Sequence, residues 1–464
     1  MIKRISLVAF LSLGAMYYAQ DASVIKNTAE VYSGSNFGGT AKFNSMAGSM
    51  GALGGDVSAI ATNPASLGVF ITGNISGTLA VDKTNTTSSF TNASKSYELT
   101  NTNLGQIGAV AVFETGNSSP WKFVNIGVNY TNKNIEEYIE TPGNSNYKFQ
   151  DQIEDLTTGN MVTGTFTSQG HAYNRTGNLT NMNIALGGNY ENKFYVGGSL
   201  NFKGARIEQY DSSLLSLDVD NDRTYLFDKQ GTPYTEDSNG FSLSAGVIGK
   251  LNNNVRLGLS LETPTWWSLT RVYYEVGFED QYGEPPYTED RTLTSPMKAT
   301  ISGAFVASKN FALNVDYTLG LTKPKYKVQG QTEKDFNDFF NSDYKNLSEL
   351  KVGGEYRYNN FRLRGGYAIA NSPFEKRAGF DDLYIGKRET LGLGVGFDFK
   401  SFYIDATYNK VKINSTNVYG DGDYYSYNDN NTNNLYVTNP TTNSFTSKLE
   451  DVRDNIYLTV GWKF

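Results

Sequence analysis

The sequence predicts an all-β transmembrane protein: an antiparallel outer-membrane β-barrel of about fourteen strands, with a small N-terminal helical hatch in its lumen. Three observations carry that expectation. Apolar and polar residues alternate with period two in segment after segment from residue 71 to the C-terminus. Short polar turns and long polar loops take turns as the links between those segments. The 464-residue chain is also polar on average, with a mean hydropathy of −0.44, although it holds 32 Tyr, 27 Phe and 47 Gly. A sheet that is apolar on only one face reconciles those figures.

The N-terminus reads as a secretory signal peptide over residues 1–19. Lys3 and Arg4 supply the positive start, Ile5 to Ala15 the short apolar core, and cleavage is placed after Ala19. Residues 20–70 form an N-terminal segment and hatch. From 36 to 70 the chain is rich in small residues and does not alternate. Met46, Met50, Leu53, Val57 and Ile60 recur at roughly helical spacing, interrupted by Gly48, Gly51, Gly54 and Gly55. Asn63-Pro64 marks a turn. Such a piece is too short to bury a core of its own, so it needs a host surface, and the lumen of the barrel offers one.

Residues 71–464 form the barrel. Its first apolar face is Ile71, Gly73, Ile75, Gly77, Leu79 and Val81; its last is Ile456, Leu458, Val460, Trp462 and Phe464. Twelve further segments lie near 103–114, 121–131, 179–190, 194–202, 241–247, 255–261, 297–305, 311–317, 350–356, 361–367, 391–399 and 402–408. Short links fall at 191–193, 251–254, 308–310, 359–360 and 400–401. Long polar loops are expected at 132–178, 211–238, 275–290, 329–345, 372–386 and 414–446. If the first strand rises from the periplasm, every short link is periplasmic, both termini are periplasmic and the long loops are extracellular, as in the outer membrane of a Gram-negative bacterium.

The opposite face of these strands carries Glu262, Asp316, Glu355, Arg357, Arg362, Arg364, Asp398 and Asp405. Charge facing lipid costs about 2–4 kcal/mol at the midplane, so these side chains point inward. Glu355 and Arg357 beside Arg362 and Arg364 suggest ion pairs across the interior, serving either to knit the lumen together or to touch a ligand. Trp266-Trp267, Tyr273-Tyr274, Tyr356, Tyr358 and Trp462 at strand ends fit aromatic girdles and equally fit cross-strand packing.

Other function classes find little support. The chain has no Cys and one His, His171, which removes thiolate chemistry and any site needing two imidazoles. No convergent acid, base and nucleophile appears, so no catalytic residue and no cofactor is assigned. Asp421-Gly422-Asp423 misses the calcium-loop spacing and reads as solvated loop, so no metal site is assigned. The net charge of −7 shows no basic patch, hence no nucleic-acid partner.

The run Met46 to Asp56 (MAGSMGALGGD), followed by Ser58-Ala59-Ile60 and Asn63-Pro64-Ala65-Ser66-Leu67-Gly68, resembles the hatch of the FadL/TodX family of outer-membrane transporters, in the form common in Bacteroidetes. The resemblance covers about 35 residues. It implies a monomeric fourteen-stranded barrel that admits hydrophobic compounds, such as long-chain fatty acids or aromatic hydrocarbons, without an energy source. It further implies sideways exit through a gap beside an inward kink in the third strand, for which Gly127 is the candidate position. Gly54, Gly55, Asp56, Asn63, Pro64 and Ala65 take the hatch role, holding it near that gap. Partners implied are hydrophobic small molecules, outer-membrane lipid and, through the terminal Phe464, the barrel-assembly machinery. The alternative carried alongside is an outer-membrane component of a protein secretion system built on the same barrel.

Overall fold

A computed structural model describes residues 22–34, 38–116, 119–146, 148–155, 158–219, 223–273, 287–328, 331–375, 382, 384–419, 425–429, 434–438 and 445–464. The signal segment, Tyr274 and the Asp421–Asp423 run lie outside the described residues.

Fourteen antiparallel staves close into a barrel. They are β1 (Asn74–Phe90), β2 (Ala93–Glu114), β3 (Trp121–Pro142), β4 (Asn160–Tyr190), β5 (Phe194–Val219) and β6 (Arg223–Lys250). Then come three interrupted staves: β7 (Val255–Glu262 and Trp266–Tyr273), β8 (Tyr287–Thr294 and Lys298–Val306) and β9 (Phe311–Gly320 and Lys325–Lys327). β10 (Ser348–Tyr358), β11 (Phe361–Ala370), β12 (Arg388–Asp398), β13 (Phe402–Tyr419) and β14 (Phe445–Lys463) complete the wall. β14 pairs with β1 from Asn74↔Lys463 to Ser89↔Lys448, so no sheet edge is left at closure. Each interruption contains a proline: Pro264, Pro296 and Pro324. A proline cannot donate to the ladder, and the three sit side by side on neighbouring staves.

The expected faces are the observed ones. Ile75, Leu79, Leu200, Leu259, Ile301, Leu363, Val395 and Ile456 are exposed in a continuous outer band, while Thr78, Asn129, Asn183, Ser242, Asn314 and Thr459 are buried inside. A tilted strand crosses the hydrocarbon core of a bilayer in about 9–11 residues. Trp266 and Trp462 face outward as girdle residues. Trp267 does not: it points into the lumen and packs edge-on against Tyr32, ring centroids 5.0 Å apart.

Several stretches expected to be loops are strand. β4 runs for 31 residues and β5 for 26, far beyond what a bilayer needs. Backbone pairing continues there after the outward residues have turned polar, so alternation of polarity, the signal used to find strands, has vanished while the ladder has not. The protruding ribbons bury a small core of their own, with Phe90, Phe166, Leu215, Leu217 and Phe445. His171, expected in a solvated loop, is buried within β4; its Nε2 lies 2.8 Å from Asp211 Oδ1 and its ring stacks on Tyr419. Residues Gln331–Asp343, also expected to be loop, form helix α3, which follows α1 (Ala22–Asn27, continued by a π turn over Thr28–Tyr32) and α2 (Ala41–Ser45) in the chain.

The hatch lies inside the wall near the short-turn rim. It comprises α2 and two short 3-10 turns, Val57–Ala61 and Pro64–Val69. What lets it fit is a belt of wall glycines: Gly108, Gly127, Gly187, Gly197, Gly246, Gly353, Gly366, Gly392 and Gly394. A Cβ on Gly197 would stand 2.4 Å from Pro64 O, one on Gly366 2.2 Å from the Met46 carbonyl carbon, and one on Gly392 2.6 Å from Asn44 O. Backbone therefore meets backbone, and a side chain has nowhere to go. On the β8–β9 side the hatch supplies the glycine instead, since a Cβ on Gly51 would fall 2.2 Å from Ser302 Oγ.

Overpacking of this kind costs about 1–3 kcal/mol or more when backbone must move. Gly366→Val is expected to loosen the hatch and lower the thermal midpoint, whereas Gly77→Ala, with nothing within 4 Å of the added methyl, changes neither. Differential scanning calorimetry with limited proteolysis of the hatch checks both.

Candidate functional site

The sequence-predicted hatch residues build the hatch and stitch it to the wall. Asp56 caps its first 3-10 turn, accepting from Ser58 N at 2.9 Å and from Thr40 Oγ1 at 2.7 Å. Gly54 and Gly55 turn the chain with φ of +66° and +70°, a region that favours glycine. Asn63 Oδ1 accepts from Ala65 N at 3.0 Å, and its Nδ2 donates to Gly51 O at 2.9 Å. Pro64 occupies the first position of the turn that follows, and Ala65 is fully buried. Asn63 and Pro64 abut Gly246 and Gly197 on β6 and β5, three and two staves along the wall from the third strand.

Asp316, expected as one member of a charge network, has a different job. Its carboxylate accepts from Met50 N at 2.9 Å and from Gly51 N at 3.0 Å, fixing the hatch to β9. Asn125 Nδ2 donates to Leu67 O and Phe70 O at 2.8 and 2.9 Å and does the same from β3. Sequence reading missed Asn125, because a lone inward Asn carries no distinguishing pattern. Glu262 also stands apart, paired with Lys203 at 2.6 Å. The remaining charges do come together: Arg357–Glu355 (2.5 Å), Glu355–Arg364 (2.6 Å) and Arg364–Asp405 (2.6 Å) run across β10 to β13 below the hatch. Gly396 leaves room for the last pair, since a Cβ there would lie 1.9 Å from Asp405 Oδ1. Arg362 pairs with Asp398 at 3.3 Å on the same rim. Every member of this chain of ion pairs has a charged partner within the wall.

Above the hatch lies a cavity of about 140 Å³, bounded by α1, β1, the upper parts of β2 and β3, and β12 to β14. α1 is held in the long-loop half of the lumen, so the described N-terminal chain does not lie at the short-turn rim expected for that terminus. Lys26 pairs with Glu137, and Glu30 with both Arg175 and Arg453. Its apolar face, with Ile25, Ala29 and Tyr32, joins an aromatic roof of Trp267, Tyr326, Phe336, Phe339 and Phe340. In α3 the spacing of Phe336, Phe339 and Phe340 puts one face of the helix into that roof.

The wall parts at one place beside the cavity. β2 and β3 pair from Glu114↔Phe123 up to Gln106↔Thr131 and no further. Higher up, β2 pairs only with β1 and β3 only with β4. Gly127 pairs without interruption on both sides, and its missing side chain admits Leu67 and Ile60 of the hatch. The ladder leaves off five residues later, at Asn132, opposite the Gly105 bulge that shifts the β1–β2 register between Thr78 and Leu79. There the free edge of β3 tucks under the β1–β2 hairpin. Leu79 and Leu104 pair and both face outward, which puts Lys95, Tyr97 and Asn101 on the inner face of the hairpin. Val124, Ile126, Val128 and Tyr130 face outward on β3, and so do Glu136, Tyr138 and Glu140. These two faces meet: Asn101 donates to Glu136, the rings of Tyr97 and Tyr138 lie 4.1 Å apart, and Lys95 pairs with Glu140 at 2.6 Å. The seam is a lap joint held by side chains and not by a backbone ladder.

A closed fourteen-stave barrel, banded with exposed aliphatics and plugged by its own N-terminal segment, is an outer-membrane-type plugged barrel. Neither a protein-family model nor a curated protein matches the sequence. The fold is that of the FadL-type barrels. It is shared with a Pseudomonas aeruginosa FadL homologue (TM-score 0.57, 11% identity, 92% of this chain and 98% of that one). It is shared too with the Ralstonia pickettii toluene transporter TbuX (0.53, 14%, 92% and 98%) and the P. putida toluene transporter TodX (0.51, 13%, 92% and 99%).

Two outcomes follow from the anchoring. Asp316→Leu orphans the buried Met50 and Gly51 amides, each worth about 1–3 kcal/mol; faster amide exchange over residues 46–55 in an otherwise folded barrel is expected. Burial pushes the Glu30 carboxyl up, but Arg175, Arg453 and Lys26 outweigh it and hold the group well below the usual carboxylate range. A depressed value stabilises docking at every pH above the ordinary 4.5 and is lost only as pH falls through the lower folded value. Exchange protection of α1, corrected for intrinsic rate, is therefore expected to be equal at pH 7 and pH 5, and to drop in Glu30→Gln.

Proposed function

We propose that the protein is an outer-membrane channel for the passive uptake of hydrophobic compounds, with the cavity above the hatch as the waypoint and the β2–β3 seam as the lateral door. The observation that carries this reading is the seam itself. It is the place where a cavity inside the wall borders on an unpaired stretch of that wall, at the upper edge of the lipid-facing band. An apolar molecule loses its favourable surroundings in a water-filled pore, so a sideways route between cavity and lipid suits it and a vertical one does not. The toluene transporters that share the fold support the same class of cargo.

The hatch acts in this scheme as a fixed floor. Its glycine seating and its hydrogen bonds to β3, β6, β9 and β13 favour a plug that stays in place while cargo turns aside above it. The long-loop rim faces the medium and the short-turn rim the periplasm; the chain works as a monomer, and Phe464 at the end of β14 offers the barrel-assembly machinery its signal. No catalytic step is part of this role, and the secretion-component alternative is not favoured by the fold comparison.

The absence of native Cys makes the door testable. In Asn101→Cys/Glu136→Cys, a reducible bis-thiol cross-linker is expected to abolish uptake of radiolabelled hydrophobic probes by cells, and reductant to restore it. Unchanged uptake through the locked seam would sink the lateral route. Ala80→Trp, which fills the cavity from β1, is expected to slow uptake about tenfold or more without unfolding the barrel.

A further inference from the structure

The structure assigns a polar-head site to the seam: we propose that the crevice between β2 and β3 binds the uncharged hydrogen-bonding head of an amphiphile, a hydroxyl or amide at the end of a hydrocarbon chain. This inference rests on the transport reading above and narrows its cargo. Four side chains aim into the crevice. Asn103 comes from the inner face of the hairpin; Asn132, Asn134 and Glu136 come from the outer face of β3. Solvent is excluded from both amide atoms of Asn103, from Asn132 Oδ1, from Asn134 Nδ2 and from Glu136 Oε2, and none of these atoms has a hydrogen-bond partner among the described residues. Continuing the lost ladder would set Asn103 opposite Asn134, so two of these amides flank the point where the strands separate.

Buried polar atoms are normally hydrogen-bonded, and five that are not, gathered on two facing strands, mark a place for a polar visitor. The height fits an amphiphile. On β3 the exposed apolar side chains end at Tyr130, and Asn132 is the next outward residue. A head bound there sits at the edge of the hydrocarbon while its chain reaches either the cavity or the lipid. The chemistry of the set favours an uncharged head. It offers donors (Asn103 Nδ2, Asn134 Nδ2) and acceptors (Asn103 Oδ1, Asn132 Oδ1), which a hydroxyl or amide satisfies in both directions. An anionic head meets the Glu136 carboxylate, and a cationic one faces two amide donors with Lys133 lining the same cavity. A bare hydrocarbon leaves every one of these atoms unpaired.

Binding of three probes of equal chain length, hexadecanol, hexadecanoate and hexadecane, to the full-length protein in lipid nanodiscs tests this. Hexadecanol is expected to bind about tenfold or more tightly than hexadecane, and more tightly than hexadecanoate. In Asn103→Leu/Asn134→Leu the preference for hexadecanol over hexadecane is expected to collapse, with hexadecane binding unchanged; Asn134→Leu alone, checked for heat-modifiable gel mobility, serves if the double variant does not fold. Equal binding of hexadecanol and hexadecane to the native protein overturns the inference, as does tighter binding of hexadecanoate or a variant that weakens all three alike. Failure of every probe to bind or to enter cells would instead remove the transport reading, so the two failures are told apart.

Discussion

Hydrocarbon offers no partner for a backbone amide, and the ladder of this barrel is arranged around that fact. Within the band of exposed aliphatics, up to Gln106 on β2 and Thr131 on β3, the staves are paired on both sides, including the closure of β14 on β1. The departures cluster at its upper edge. Pro264, Pro296 and Pro324 interrupt β7, β8 and β9 just above the last lipid-facing residues, and on the other side of the barrel β2 leaves β3 above Tyr130. A side door in such a wall has to open at that level, because lower down it would leave unpaired amides in lipid. The lap joint softens the cost further, replacing lost backbone bonds with Lys95–Glu140, Asn101–Glu136 and the Tyr97–Tyr138 contact.

The interior obeys a second constraint, that of volume. A plug can sit in a fourteen-stave lumen only if the wall yields space, and it yields it at glycines distributed over β2 to β6 and β10 to β12. Several of these contacts, at Gly197, Gly366 and Gly392, are backbone to backbone and therefore rigid, and the polar stitches from Asp316, Asn125 and Asn63 add direction. The ties of the seam, by contrast, are largely exposed side chains worth little individually. The aromatic roof and the ion pairs around Glu30 hold α1 in the upper lumen, so the cavity is enclosed from above and below and weakest at its side.

Much of this was legible in the residues. Alternation located all fourteen staves and, outside the weaker segments 103–114, 121–131 and 179–190, their lipid faces, since a period-two pattern leaves no choice of side once one face meets lipid. Small residues without alternation located the plug. Legibility ended where polarity stopped reporting conformation. The upper parts of β4, β5 and β13 mix polar with apolar residues out of strict alternation and read as loop, although they pair. Gly127 was recognised as special, but sequence cannot say whether a glycine in a strand bends the chain or admits a neighbour; here it admits Leu67 and Ile60. Asp316 looked like one more lumenal charge, and only its distance to the Met50 and Gly51 amides separates it from the Glu355–Arg364–Asp405 brace.

The sequence by itself determined the class of the molecule, the number and facing of its strands and the presence of a lumenal plug, because each is set by local periodicity and composition. Tertiary structure decided which glycines carry the plug, that α1 climbs into the upper lumen, and that the wall parts at Asn132 and not at Gly127. Those features depend on residues that lie close together only once the barrel has closed, and no spacing along the chain encodes such encounters.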